Sequence, residues 1–418
     1  MSKFIVKGGR RLNGEVKVGG AKNAALPIMC ACLLTEDKSV LTNVPDIADI
    51  RSMIAILEDL GARITFENNT IEINPAKVSS KKPLNEKVCK MRASILLLGP
   101  LLARFKKAEM AFPGGCILGK RSVSAHTSAL KKIGCEIIED SKYLRLKAKT
   151  LHGTTIIMEE SSVTATENLL MAAVLAEGET IIKLAAAEPH VQDLCRMLNK
   201  MGARIVGIGT STLKIEGVKS LHGATHKITG DYLEAGTFAI AAAITNGNVV
   251  IKGFETDQLD SFWQKMEEIG VKFSLKHNEA QIFGYKELKA TKMLRTAVYP
   301  SFPTDLQAPF TVLLTQAKGV SKVFETLFEG RLNYLAELEH MGAKVEILNP
   351  HQAIIIGPEQ LKGMPISSYD IRAGAAMIIA SLIARGETEI GNINYIDRGY
   401  EKLEEKLRAL GADIQRVE

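Results

Sequence analysis

Apolar positions along this chain follow two periods, 3.6 and 2, and the alternation between them recurs six times. Ile50, Met53, Ile54, Leu57 and Leu60 mark one face of an amphipathic helix at i, i+3, i+4 and i+7, and Tyr400, Leu403, Leu407 and Leu410 mark another. Each such helix runs into a leucine, isoleucine or methionine, then a glycine, then a short strand-like run. These junctions are Leu60-Gly-Ala-Arg-Ile64, Ile133-Gly-Cys-Glu-Ile137, Met201-Gly-Ala-Arg-Ile205, Ile269-Gly-Val-Lys-Phe273, Met341-Gly-Ala-Lys-Val345 and Leu410-Gly-Ala-Asp-Ile414. The glycines fall at 61, 134, 202, 270, 342 and 411, with steps of 73, 68, 68, 72 and 69. Each stands where a helix C-cap is predicted. Ahead of each amphipathic helix lies a more uniformly apolar one: Ala24–Leu34, Ala93–Leu102, Leu169–Leu175, Ala235–Ile244, Ala308–Leu314 and Ala373–Ile383. A helix that is apolar all round belongs inside a domain. A short strand such as Val40-Leu-Thr-Asn-Val44 separates the two helices. A hairpin follows the glycine, as where Ala62-Arg-Ile-Thr-Phe66 turns at Asn68-Asn69 into Thr70-Ile-Glu-Ile73.

The repeating unit is therefore strand–helix–strand–helix–strand–strand. Six copies of about 70 residues predict an α/β protein of two inside-out, barrel-like domains, each of three units with the helices buried beneath outer sheets. The buried helices also carry a charged residue at or near their first turn: Lys22, Arg92, Glu167, Glu234, Asp305 and Arg372. Parallel helices would gather their N-termini on one face, where free N–H groups and positive dipole ends suit phosphate or carboxylate. A cation at a helix N-terminus opposes the dipole, so Lys22, Arg92 and Arg372 read as ligand groups.

Composition narrows the class. The 418 residues are 46% hydrophobic and 24% charged with 34 glycines, which describes a folded α/β chain. The net charge is +6, from 53 basic and 47 acidic residues, a mild excess that suits anionic small molecules. No basic run interleaved with aromatics marks a nucleic-acid face, and no apolar run reaches the roughly 20 residues of a membrane span. The first residues lack the apolar core of a signal peptide. Cysteines at 30, 32, 89, 116, 135 and 195 include no C-x-x-C pair, so free thiols in a cytoplasmic setting are expected. His222 and His226 have H-x-x-x-H spacing but neither the glutamate nor the helical pattern of a zinc site, and no P-loop is present.

One stretch interrupts the second repeat. Phe112-Pro-Gly-Gly-Cys-Ile-Leu-Gly-Lys-Arg121 sets Cys116 among Gly114, Gly115 and Gly119, beside Lys120 and Arg121. The glycines free the loop to bring its backbone against a ligand, and the cations favour the thiolate or a bound anion.

Taken together, Gly19-Gly-Ala-Lys-Asn-Ala-Ala-Leu-Pro27, Met91-Arg-Ala-Ser94, Pro113-Gly-Gly-Cys-Ile-Leu-Gly-Lys-Arg121, Leu175-Ala-Glu-Gly178, Tyr299-Pro-Ser-Phe-Pro-Thr-Asp-Leu-Gln307, Asp370-Ile-Arg372 and Ile396-Asp-Arg-Gly-Tyr-Glu401 give the chain a further identity. It resembles, from end to end, the enolpyruvyl transferases that act on UDP-N-acetylglucosamine at the entry to peptidoglycan synthesis. The resemblance implies two domains, 22–229 and 1–21 with 230–418, and transfer of enolpyruvyl from phosphoenolpyruvate to a sugar hydroxyl with release of phosphate. It implies neither metal nor organic cofactor, and small-molecule partners only. Oligomeric state stays open. By the same resemblance, Cys116 is the proton donor to the vinyl carbon and the thiol that attacks the epoxide antibiotic fosfomycin, and Asp305 is the carboxylate beside the reacting hydroxyl. Lys22, Arg121 and Arg398 surround phosphoenolpyruvate, with Arg331, Asp370 and Arg372 near it, and Asn23 sits by the reacting centre. Arg92, Ser162, Val163 and Leu327 match sugar-nucleotide contacts, and Ser122, Val123, Ser124 and Ala125 stand where the nucleotide is expected. The chain departs from the family's pattern at Ser122-Val-Ser-Ala-His126, where Pro-Val-Asp-Leu-His is usual, at Thr164 in place of glycine, and at Gly330 in place of asparagine. Two other readings remain: the shikimate-pathway enolpyruvyl transferase, which lacks the Pro-Gly-Gly-Cys loop, and a non-catalytic paralogue that binds sugar nucleotides.

Overall fold

The structure is a computed structural model that describes residues 2–80, 88, 91–111, 123–140 and 142–418. Cys116, Arg121 and Ser122 lie outside the described residues. The chain forms two compact units. One consists of the chain up to Gly19 with Gly230–Glu418, and the other of the described residues between Gly20 and Thr229. Each unit has its own apolar core. The chain passes from one to the other at Gly19–Gly20, two residues before the expected boundary, and at Thr229–Gly230.

The repeating unit is plainest at Thr155–Glu216. The strand Thr155–Ile157 lies parallel to Glu179–Lys183, with the buried helix Val163–Ala173 between them in sequence. The helix Pro189–Lys200 then leads into a hairpin of Arg204–Val206 and Thr212–Glu216, whose second strand pairs antiparallel with Glu179–Lys183. Among the described residues this pattern yields five four-stranded sheets and one three-stranded sheet, three in each unit. The helices beneath them are apolar because they meet other helices and sheets on every side. Every residue of Tyr232–Ile244 is buried, and so is almost every residue of Ile371–Ile383.

All six junction glycines take positive φ, between 92° and 105°. In each, the glycine N–H donates to the carbonyl three residues back and the next N–H to the carbonyl five residues back, as in Gly61 to Glu58 and Ala62 to Leu57. That is the Schellman closure, and only glycine adopts its left-handed position without steric cost. The hairpin after the first junction turns at Asn68 and Asn69, with φ of 49° and 57°, the mirror-image turn that matches strand twist.

The sixth copy differs, because it supplies only one strand, Asp413–Val417, after its glycine. The missing strand comes from the other end of the chain: Lys3–Lys7 lies between Asp413–Val417 and Glu387–Gly391, antiparallel to both, with Phe4 opposite Arg416 and Ile390. The next strand, Asn13–Lys17, joins Asn248–Lys252 in parallel. The start of the chain thus completes two sheets of the unit that carries residues 230–418.

Candidate active site

In that unit the chemistry gathers around Asp305. A carboxylate just ahead of a helix could serve simply as its N-cap. Instead Asp305 lies within a short 3-10 turn, Thr304–Leu306, ahead of the helix Gln307–Leu314, and its side chain caps nothing. Its carboxylate is turned to two guanidiniums: Oδ1 accepts from Arg331 Nη2 at 2.5 Å and Oδ2 from Arg372 Nε at 3.0 Å. Both arginine side chains are buried, at 4% and 7% exposure, while Asp305 keeps 25%. Burial alone would raise the Asp305 carboxyl, but Arg372 and Arg331 outweigh it and hold the group well below the usual carboxylate range.

Neighbouring groups fix each arginine. Arg372 is the second residue of the helix Ile371–Ile383, which is capped by Asp370, whose Oδ1 accepts from the backbone of Arg372 and Ala373 at 2.7 and 2.9 Å. Its guanidinium lies over the Tyr400 ring, 5.3 Å from the centroid, and its Nη1 is buried with no hydrogen-bond partner among the described residues. A buried guanidinium N–H without an acceptor is costly in isolation, and an oxyanion would satisfy it. Arg331 follows a loop held by Glu325, which is fully buried. Glu325 Oε1 accepts from Leu327 N at 2.9 Å, and Oε2 accepts from the Thr304 hydroxyl at 2.8 Å, so one carboxylate ties the Arg331 loop to the Asp305 turn. Leu327 itself is exposed on that loop, at 39%. Arg398 closes the turn Ile393–Arg398, two residues before Tyr400.

In the other unit, Lys22 is the first residue of the helix Lys22–Ala31, with Asn23 beside it. The lysine ammonium meets Asp49 Oδ2 at 2.7 Å, with the two side chains 12% and 6% exposed. Asp49 stands in the first turn of the amphipathic helix Ala48–Asp59, an acid at a positive dipole end. Arg92 opens the 3-10 turn Arg92–Leu97 that continues into the helix Leu98–Phe105. Ser162 is the N-cap residue of the helix Val163–Ala173 but makes no side-chain cap bond. Val163 is half-buried. Val123 precedes the helix Ser124–Lys132, on which Ser124 is exposed and Ala125 buried. Glu167 does not share the first-turn position of Lys22 and Arg92: it is the fifth residue of its helix and 1% exposed, and burial with Glu188 nearby pushes its carboxyl well up. A neutral acid is what that interior accepts.

The His222–His226 spacing gathers no shared site. His226 is buried and its Nε2 lies 3.0 Å from Asp193 Oδ1, whereas His222 is exposed. Four cysteines, Cys30, Cys32, Cys135 and Cys195, are buried and free, with burial pushing their thiols up, to about 11 at Cys135 and about 12 at Cys32 and Cys195. Sequence patterns gave no role to Glu325, Asp49, His126 or Asn168, and set Tyr400 on an amphipathic helix that in the structure begins only at Leu403. Tyr400, His126 and Asn168 find partners in another repeat, such as Thr237, Thr164 and Gly99, and Glu325 and Asp49 meet Thr304 and Lys22 more than 20 residues away, which no local spacing reveals.

Comparison with known proteins places this arrangement. The family model described as EPSP synthase (3-phosphoshikimate 1-carboxyvinyltransferase) matches residues 6–407. The enolpyruvyl transferase NikO from Streptomyces tendae shares the fold, with a TM-score of 0.89 at 22% identity over 100% of this chain and 99% of that one. An EPSP synthase from Acinetobacter baumannii shares it with a TM-score of 0.79 at 18% identity, covering 100% of both chains. The two-unit, six-repeat fold is therefore that of enolpyruvyl transferases.

Within that class, the chain is 44% identical over 418 residues, all of both chains, to UDP-N-acetylglucosamine 1-carboxyvinyltransferase 2 of Carboxydothermus hydrogenoformans. It is also 44% identical over 417 residues to the UDP-N-acetylglucosamine 1-carboxyvinyltransferase of Halothermothrix orenii. The chain belongs to the UDP-N-acetylglucosamine 1-carboxyvinyltransferase family of enolpyruvyl transferases.

Proposed function

We propose that this protein transfers the enolpyruvyl group of phosphoenolpyruvate to the 3-hydroxyl of UDP-N-acetylglucosamine, releasing phosphate, as the committed step of peptidoglycan synthesis. The observation that carries the reading is Asp305 held between Arg331 and Arg372, with Arg372 Nη1 still free to take an oxyanion. The reaction needs an acceptor for the sugar hydroxyl proton, a donor to the vinyl carbon, and cations for one carboxylate and one phosphate. Asp305 serves the hydroxyl. The hydroxyl oxygen bonds to C2 of phosphoenolpyruvate while C3 takes a proton from Cys116; loss of a proton from C3 and of phosphate from C2 then restores the double bond. Lys22, Arg121, Arg331, Arg372 and Arg398 hold the anionic groups, and guanidinium forks suit them. Asn23 hydrogen-bonds beside the reacting centre, and Asp370 keeps Arg372 in place. Arg92, Ser122, Val123, Ser124, Ala125, Ser162, Val163 and Leu327 receive the sugar nucleotide.

The electrostatics link the steps. Paired with two guanidiniums, Asp305 is a weak base. A phosphoenolpyruvate anion that takes up Arg372 Nη1 shares that positive charge, so the carboxyl of Asp305 climbs back toward its ordinary range and the residue gains basicity once substrate is bound. The test is phosphate release from phosphoenolpyruvate with and without UDP-N-acetylglucosamine. Release that depends on the sugar nucleotide is the expected result. A protein that binds the nucleotide yet releases no phosphate is the non-catalytic paralogue instead.

A further inference from the structure

The departure at Thr164 is built into a buried hydrogen-bond chain with a single direction. Asn168 Oδ1 accepts from the backbone N–H of Gly99 at 2.7 Å, which settles the orientation of its amide. Any side chain at position 99 would collide here, since a Cβ would lie 2.4 Å from the Asn168 carbonyl oxygen. The Asn168 Nδ2 group spends one hydrogen on Ile95 O at 2.9 Å and the other on His126 Nδ1 at 2.9 Å. His126 Nδ1 is therefore an acceptor. The ring is 2% exposed, and burial followed by the nearby charge of Arg92 lowers it to about 3, so it is neutral with its proton on Nε2. That proton is donated to Thr164 Oγ1, 3.1 Å away. The Thr164 hydroxyl accepts from His126 and keeps its own hydrogen to give. No other described group bonds to it, and Thr164 is half-buried in the first turn of the helix Val163–Ala173, one residue from Val163.

We infer that Thr164 is a specificity-determining residue that donates its hydroxyl hydrogen to an oxyanion of the sugar nucleotide, and that His126 is a positioning residue that fixes the direction of that donor. The inference rests on the proposed role of Ser162 and Val163 as sugar-nucleotide contacts. A glycine at this position could offer only its backbone N–H. Threonine adds a side-chain donor, and the His126–Asn168–Gly99 chain keeps that donor from being spent inside the protein.

Three measurements test this. The KM for UDP-N-acetylglucosamine in Thr164→Val should rise about 10–100-fold, the scale of a hydrogen bond to a charged group. The KM for phosphoenolpyruvate should stay within about two-fold, and Thr164→Ser should recover most of the loss. Nitrogen chemical shifts of His126 should report the Nε2–H tautomer, unchanged from pH 5 to 9. Valine and wild-type proteins with the same UDP-N-acetylglucosamine KM would overturn the Thr164 assignment while leaving the proposed reaction intact. A ring that carries its proton on Nδ1, or titrates in that range, would overturn the positioning role of His126. A wild-type protein with no affinity for UDP-N-acetylglucosamine would remove both the inference and the reading beneath it.

Discussion

Asp305→Ala is expected to lower turnover about 10²–10⁴-fold, the usual contribution of a positioned proton acceptor. Stability should fall as well. A simple helix cap would be worth about 1 kcal/mol, but Asp305 is the shared counter-ion of Arg331 and Arg372, whose side chains are 4% and 7% exposed. Removing it leaves two buried cations without their carboxylate, which costs about 3 kcal/mol, the lower end of the range for breaking a buried pair because part of Asp305 remains in water. Asp305→Asn separates the two effects. The amide keeps an oxygen for one guanidinium and the shape of the side chain, so its folded fraction should exceed that of the alanine variant while its turnover stays low. Circular dichroism gives the folded fraction and phosphate release per folded molecule gives the rate. If either variant unfolds more easily yet keeps wild-type turnover per folded molecule, Asp305 is structural.

Cys116→Ala is expected to remove most turnover and also covalent inactivation by fosfomycin, because no proton donor and no soft nucleophile remain at the loop. Cys116→Asp should separate these roles. A carboxylic acid donates a proton but attacks an epoxide poorly, so this variant should keep substantial turnover with a shifted pH profile and should resist the drug. The thiol should also be the first to alkylate. Lys120 and Arg121 follow it by four and five residues in the same glycine-rich stretch and should draw it below the ordinary thiol value of about 8.5, whereas Cys30, Cys32, Cys135 and Cys195 are buried with raised thiols. Peptide mapping after brief iodoacetamide treatment reads this directly, and preferential label on Cys30, Cys89 or Cys195 would refute it. An aspartate variant as inactive as the alanine one would make a covalent intermediate the thiol's necessary task.

The repeats were legible in the sequence because everything that makes one is local. A helix stripe, a left-handed glycine and a two-asparagine turn all lie within about 25 residues, and hydrophobic period reports such neighbourhoods well. What the sequence concealed was long-range. Lys3–Lys7 closes the sixth sheet against strands nearly 400 residues away, and nothing in its alternation says which edge it will meet. Asp305 has the spacing of a cap, yet its partners are Arg331 and Arg372, 26 and 67 residues further on. Glu167 has the spacing of a first-turn charge, but the helix around it starts earlier than its apolar run and carries the residue inside. Thr164 reads in sequence only as a departure from the family's glycine, and its bond to His126 appears only once the helices Ser124–Lys132 and Val163–Ala173 are packed together.

The central claim is that one particular bond is made, between the 3-oxygen of the sugar and C2 of phosphoenolpyruvate. Proton and phosphorus NMR of a mixture of this protein, phosphoenolpyruvate and UDP-N-acetylglucosamine tests it most directly. The predicted result is stoichiometric appearance of inorganic phosphate together with a pair of vinyl protons on a product whose sugar 3-position has shifted and whose diphosphate is intact. Phosphate release with the sugar 3-position unchanged, or both substrates left untouched by a protein that binds them, would contradict the account.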